Sequence, residues 1–88
     1  MKIRSMFSNT AFVAADGPLS ARVELRPGQL FKVAGSGRSL RVISGTAWVS
    51  DDAVDHIVAR GDRLGLKALA GPALVSDLSG TGLVLEVL

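Results

Sequence analysis

The chain reads as an all-β protein. A single small barrel of about eight short antiparallel strands is expected, preceded by an irregular N-terminal arm. Three observations predict the all-β class. From Ser20 onward apolar residues recur with a period of two, the repeat of a strand with one face buried. Gly, Pro or Asp closes each run at a spacing of ~8–12 residues, as in barrels and sandwiches. After Pro18, β-branched residues and glycines recur too often for a long amphipathic helix.

Residues 1 to 18 lack strand alternation. They carry the small apolar run Ala11-Phe12-Val13-Ala14-Ala15 and end at the breaker Asp16-Gly17-Pro18. They are expected to form an arm, with a helical turn at most, that packs on the barrel or on a neighbour. Residues 19 to 88 are expected to be the barrel domain.

The first strand, Arg22-Val23-Glu24-Leu25, alternates cleanly and turns at Arg26-Pro27-Gly28. Gln29 to Val33 follows, closed by Gly35-Ser36-Gly37, which reads as a flexible hairpin loop. Ser39 to Ser44 and Thr46 to Ser50 flank Gly45, also read as a hairpin turn. Asp51-Asp52 is a turn before Asp55 to Ala59, and Arg60-Gly61-Asp62 turns into Arg63 to Lys67. The last two strands are Ala73 to Asp77 and Leu83 to Leu88, separated by Ser79-Gly80-Thr81-Gly82.

Face assignment picks out one residue. Leu40 with Val42, and Ala47 with Val49, belong on inner faces, which turns Trp48 outward with Thr46 and Ser50. Leu83, Leu85 and Val87 alternate with Val84, Glu86 and Leu88, so the last strand is apolar on both faces. Trp48 either packs at a barrel end or under the arm beside Phe7 or Phe12, or it belongs to a self-association surface. The composition suits the second use. The chain is 48% hydrophobic and 20% charged over 88 residues, so apolar side chains are left to cover a partner. A domain this short buries only ~60–65% of its unfolded surface, so oligomerisation would help it.

Composition also limits the chemistry. The net charge is +2 and the basic residues are scattered singly, with one Trp and three Phe. That is neither the stripe nor the stacking platform of a nucleic-acid binder. There is no cysteine and one histidine, His56. Disulfides and cysteine metal sites are therefore excluded, and no transition-metal ligand set assembles. Asp55 and His56 are adjacent on a strand and point to opposite faces, so they form no simple dyad. Asp51, Asp52 and Asp55 match no calcium-loop spacing and read as a solvated turn. Gly35-Ser36-Gly37-Arg38 lacks the lysine and helix of a phosphate loop. The N-terminal residues lack a continuous apolar stretch, and no run reaches the ~20 residues of a membrane span. A cytoplasmic protein is expected.

The stretches Leu25-Arg26-Pro27-Gly28-Gln29-Leu30, Leu40 to Ser50 and Asp55 to Asp62 carry an L-x-V-x-x-G-x-x-W-[VIL]-[ST] motif followed by D-x-x-[LV]-x-x-G-[DE]. In these the chain resembles a family of small, cupin-like, largely proteobacterial proteins of unknown function, over roughly residues 23 to 88. The resemblance implies a compact cupin-type barrel with Ala59-Arg60-Gly61-Asp62 as its glycine turn. The chain departs from the metal-binding cupins, because it has no His-x-His…Glu set and no later His. The metallo-enzyme inference therefore does not carry over.

The leading expectation is a non-catalytic, metal-free binding or interaction module without a cofactor. It would act as a homo-oligomer, a dimer first, with Phe7, Phe12, Trp48 and Leu88 at the interface. The alternative is a sensor or carrier whose lumen holds an apolar or carboxylate small molecule. Arg41, Arg60, Arg63 and His56 would then be the ligand contacts. A minor enzymatic role would rest on His56 with Asp55 or Asp62.

Overall fold

The computed structural model describes residues 10–13, 21–34 and 37–88. Among the described residues nine strands form two sheets: β1 (Thr10–Val13), β2 (Ala21–Leu25), β3 (Leu30–Val33), β4 (Ser39–Ser44), β5 (Thr46–Asp51), β6 (Val54–Ala59), β7 (Arg63–Gly65), β8 (Ala73–Asp77) and β9 (Leu83–Val87). One sheet has the order β1-β3-β8-β5-β6 and the other β2-β9-β4-β7. All eight strands expected from the sequence are present. The ninth comes from the segment expected to be an irregular arm: Thr10–Val13 pairs parallel with Leu30–Val33.

The pairing has a simple logic. β5 pairs with β6, β4 with β7, β3 with β8 and β2 with β9, all antiparallel. The eight strands are one long hairpin whose tip is Asp52-Ala53. That hairpin is rolled up so that β4 also meets β9, and β5 also meets β8. This is the double-sheet jelly roll to which cupins belong.

Rolling has a consequence for the turns. Only β5 and β6 are consecutive neighbours in one sheet, and every other connection carries the chain across to the opposite sheet. Ser44-Gly45-Thr46, expected to be a hairpin turn, is instead a corner between sheets. A β-bulge between Val42 and Ser44 bends β4 into it. The Gly35-Ser36-Gly37 connection likewise joins strands of different sheets and is no hairpin. Its residues 35 and 36 lie outside the described residues.

The two inner faces form the core. Phe31, Val33, Val49 and Val75 from one sheet meet Leu40, Val42, Leu85 and Val87 from the other, each at most 2% exposed. Burying a side chain of this kind contributes ~1.5–3 kcal/mol. The interior is thus packed with aliphatic side chains. Among the described residues there is no helix long and apolar enough to cross a membrane.

Candidate functional site

β6 and β7 are the outer strands of their sheets on the same side of the roll, and they do not pair with each other. The sandwich is therefore open between them, and His56 stands in the opening. Its register opposite Val49 turns it inward, where it is half-buried. A cleft of about 470 Å³ lies on one side of it, lined by Asp51, Asp52, Val54, His56, Leu64, Gly65, Lys67 and Leu69. A second, shallower cleft of about 470 Å³ shares His56 and Leu64 and adds Asp55, Ile57, Val58, Asp62 and Arg63. Asp55, opposite Ser50, faces away from His56, as strand alternation requires. Asp62 shares the second cleft with His56 without a hydrogen bond between them.

The acidic pair before β6 has a different role from the solvated turn expected of it. Asp51 is buried, and its two carboxylate oxygens accept the backbone N–H groups of Lys67 and Ala68, both at 2.7 Å. Asp52 accepts the N–H of Ala70 at 2.8 Å. The pair pins the segment after β7 beneath the hairpin tip and so shapes the mouth cleft. Neighbouring backbone is strained to allow this. Asp52, Ala53 and Ala68 all have positive φ, at 49°, 66° and 48°. A two-residue turn with positive φ at both positions is type I′, whose twist matches the strands it joins.

At the other end of the roll Asp77 plays a similar part. It accepts the N–H groups of Ser79 (2.9 Å) and Gly82 (2.8 Å) and the Ser79 hydroxyl. These bonds, that of the Ser79 hydroxyl first, hold its carboxyl below the usual carboxylate range.

The structure places all three candidate arginines on the outside. Arg41 is on the outer face of the four-stranded sheet, ion-paired to Glu86 at 2.9 Å with half its side chain exposed. Arg63 stands directly opposite Arg41 on the same face, and Arg60 is exposed in the β6–β7 turn. None lines the packed interior, so none is placed as a lumen clamp. Only Arg63 of the three borders a cleft that contains His56.

The interface candidates divide. Trp48 is on the outer face of the five-stranded sheet, half-buried, between Ile57 of β6 and Ser76 of β8. Leu88 belongs to the other sheet, where its backbone exchanges hydrogen bonds of 2.8 and 3.1 Å with Ser39. The fold therefore does not bring it to Trp48. Phe12 lies on β1 in register with Lys32, its side chain outside what is described, and Phe7 lies outside the described residues. Ile57 is the residue that sequence reasoning missed. It is 70% exposed beside Trp48, with Val54 and Leu69 (55% and 78%) exposed near the mouth. The signal was present: a two-residue turn at Asp52-Ala53 makes Ile57 the cross-strand partner of Trp48.

Among the described residues no three His, Cys, Asp or Glu side chains converge as a metal site would need. No protein-family model matches the chain, and no curated protein sequence does. A solved structure from Acidithiobacillus ferrooxidans, a candidate sugar phosphate isomerase, is similar in fold. Its TM-score is 0.63 at 19% identity over 77% of this chain. The match spans 46% of the length of that protein.

Proposed function

We propose that this chain is a self-associating cupin-like binding module whose contact surface is the outer face around Trp48. One observation carries the reading. The inner face of the five-stranded sheet is already spent on the core, yet its outer face still presents Trp48 against the 70% exposed Ile57. Half-buried Leu30 and Leu74 stand on the neighbouring strands of the same face. Aromatic and aliphatic anchors on a face that no described element covers are the composition of interface cores. In this reading the module is non-catalytic and metal-free. The location proposed with it is the cytoplasm. Native mass spectrometry tests the reading. A mass of twice 9.1 kDa or more, reduced by Trp48→Ala, is the expected result, and a monomer would overturn it.

A second reading has its own observation, the cleft at the mouth. Val54, Leu64 and Leu69 give it apolar walls, and Lys67 and His56 add basic groups. Asp51 and Asp52 also line it, with carboxylate oxygens engaged by the N–H groups of Lys67, Ala68 and Ala70. A small carboxylate or phosphate with an apolar body fits that chemistry. The similar structure is named for acting on a sugar phosphate, which is an anion of this size. A ligand adduct retained by a monomer, and lost in Lys67→Glu, would favour this reading over the first.

A further inference from the structure

We infer that β6 is the seam of a homodimer, in which two copies join edge to edge and the two five-stranded sheets become one. This assignment rests on the self-association reading above and places the contact at the edge of the Trp48 face, where Ile57 meets Ile57, rather than on the face itself.

Among the described residues β6 ends its sheet and pairs only with β5. Natural edge strands are protected by being short or bulged, or by Lys or Pro. β7 is protected by its three-residue length, and β2 presents Arg22 and Glu24. β6 carries one exposed charge, Asp55, and none of the other devices. It runs six residues, Val54–Ala59, without Lys, Pro or bulge, and large apolar residues are exposed on both of its faces.

The β5–β6 turn fixes which backbone groups are free. In an antiparallel ladder closed by a two-residue turn, the residues flanking the turn bond each other, and alternate residues thereafter do the same. Val54, His56 and Val58 therefore bond back to β5. Asp55 and Ile57 turn their N–H and C=O groups to the open edge, and Ala59 turns its N–H there. The Ala59 carbonyl agrees, since it is free of β5 and accepts the Asp62 N–H at 2.9 Å.

A second copy completes this edge about a twofold axis through Ile57. Ile57 then bonds Ile57 of the second copy, and Asp55 faces Ala59. Both outer faces lie on the same side, so one apolar row runs Trp48, Ile57, Ile57, Trp48 across the seam. Charge agrees with the register, because it sets Asp55 opposite Ala59 and not beside the second copy's Asp55. Shifting the axis to His56 sets each Asp55 diagonal to the other, which like charge opposes.

The chain has no cysteine, so one substitution reports the seam. Two Cα atoms in a hydrogen-bonded pair lie ~5.5 Å apart, within the ~4.4–6.8 Å that a disulfide spans. Under mild oxidation, Ile57→Cys should form covalent dimer roughly ten-fold or more faster than Glu24→Cys on the far sheet. Ile57→Pro removes an N–H that β5 does not use. It should halve the native mass while the far-ultraviolet dichroism is kept, and Ile57→Lys does the same if the proline variant fails to fold. A wild-type dimer in which Trp48→Cys cross-links and Ile57→Cys does not would overturn the seam and leave self-association standing. A wild-type monomer would overturn both.

Discussion

A Cβ added to Gly45 would overlap the carbonyl oxygen of Gly82. This close approach joins the β4–β5 corner to the β8–β9 loop, two segments far apart in sequence. It explains why the corner needs glycine twice over, since Gly45 also has φ +88°. The loop is held against the corner by Asp77, and the Leu78 N–H donates to the Thr46 carbonyl at 2.8 Å.

Gly45→Ala should therefore cost at least ~2 kcal/mol, from left-handed strain plus displacement of the Gly82 backbone. Gly28→Ala is the control. Gly28 has φ +87°, but nothing lies within 4 Å of the added carbon, so it should cost only ~1 kcal/mol. Urea denaturation of the two variants checks the difference. Equal costs would mean that the 45–82 contact does not matter.

At the hairpin tip the expected sign is reversed. Ala53 is exposed and holds φ +66° in the type I′ turn. Ala53→Gly should stabilise the fold by ~1 kcal/mol, seen as a raised melting temperature.

Asp51→Ala leaves the Lys67 and Ala68 N–H groups without their acceptor beside a buried site. A loss of ~2–3 kcal/mol is expected. Faster amide hydrogen exchange at residues 67 and 68 would identify the cause.

Asp77 gives a dependence on pH. Its folded pKa lies below the unfolded value, so its contribution is fully present above the unfolded pKa, near 3.8. The contribution is lost as pH falls through the folded value. Asp77→Asn should flatten the acid limb of stability measured below about pH 4. An unchanged limb would assign acid sensitivity to other carboxylates.

On the outer face of the four-stranded sheet, Arg22, Glu86, Arg41 and Arg63 stand in one cross-strand row. Arg41 and Arg63 are like charges directly opposite each other. Arg63→Glu should stabilise by ~0.2–1 kcal/mol at low salt, and high salt should erase the gain.

Much of this was readable before folding, and particular residues show where it stopped. Arg26-Pro27-Gly28-Gln29 is the turn that Pro-Gly demands, with the Gln29 N–H on the Arg26 carbonyl at 3.1 Å and Gly28 at φ +87°. Leu40, Val42, Ala47 and Val49 are buried as their alternation required, and Trp48 faces outward. Ser44-Gly45-Thr46 carries the same kind of local signal and was misread, because a glycine turn looks alike whether the chain doubles back or crosses to another sheet. Asp51 was misread as a solvated turn residue because the groups that bury it, at Lys67 and Ala68, lie sixteen and seventeen residues away.

The sequence by itself determined the strands, their inner faces and the residue types each turn needs, since period-two hydrophobicity and backbone sterics act within a few residues. The tertiary structure alone decided which strands are neighbours, that β1 joins the sheet, and that β6 is left as an edge. Those outcomes rest on backbone hydrogen bonds, which are identical at every non-proline residue. Only the packing of the two sheets selects among them.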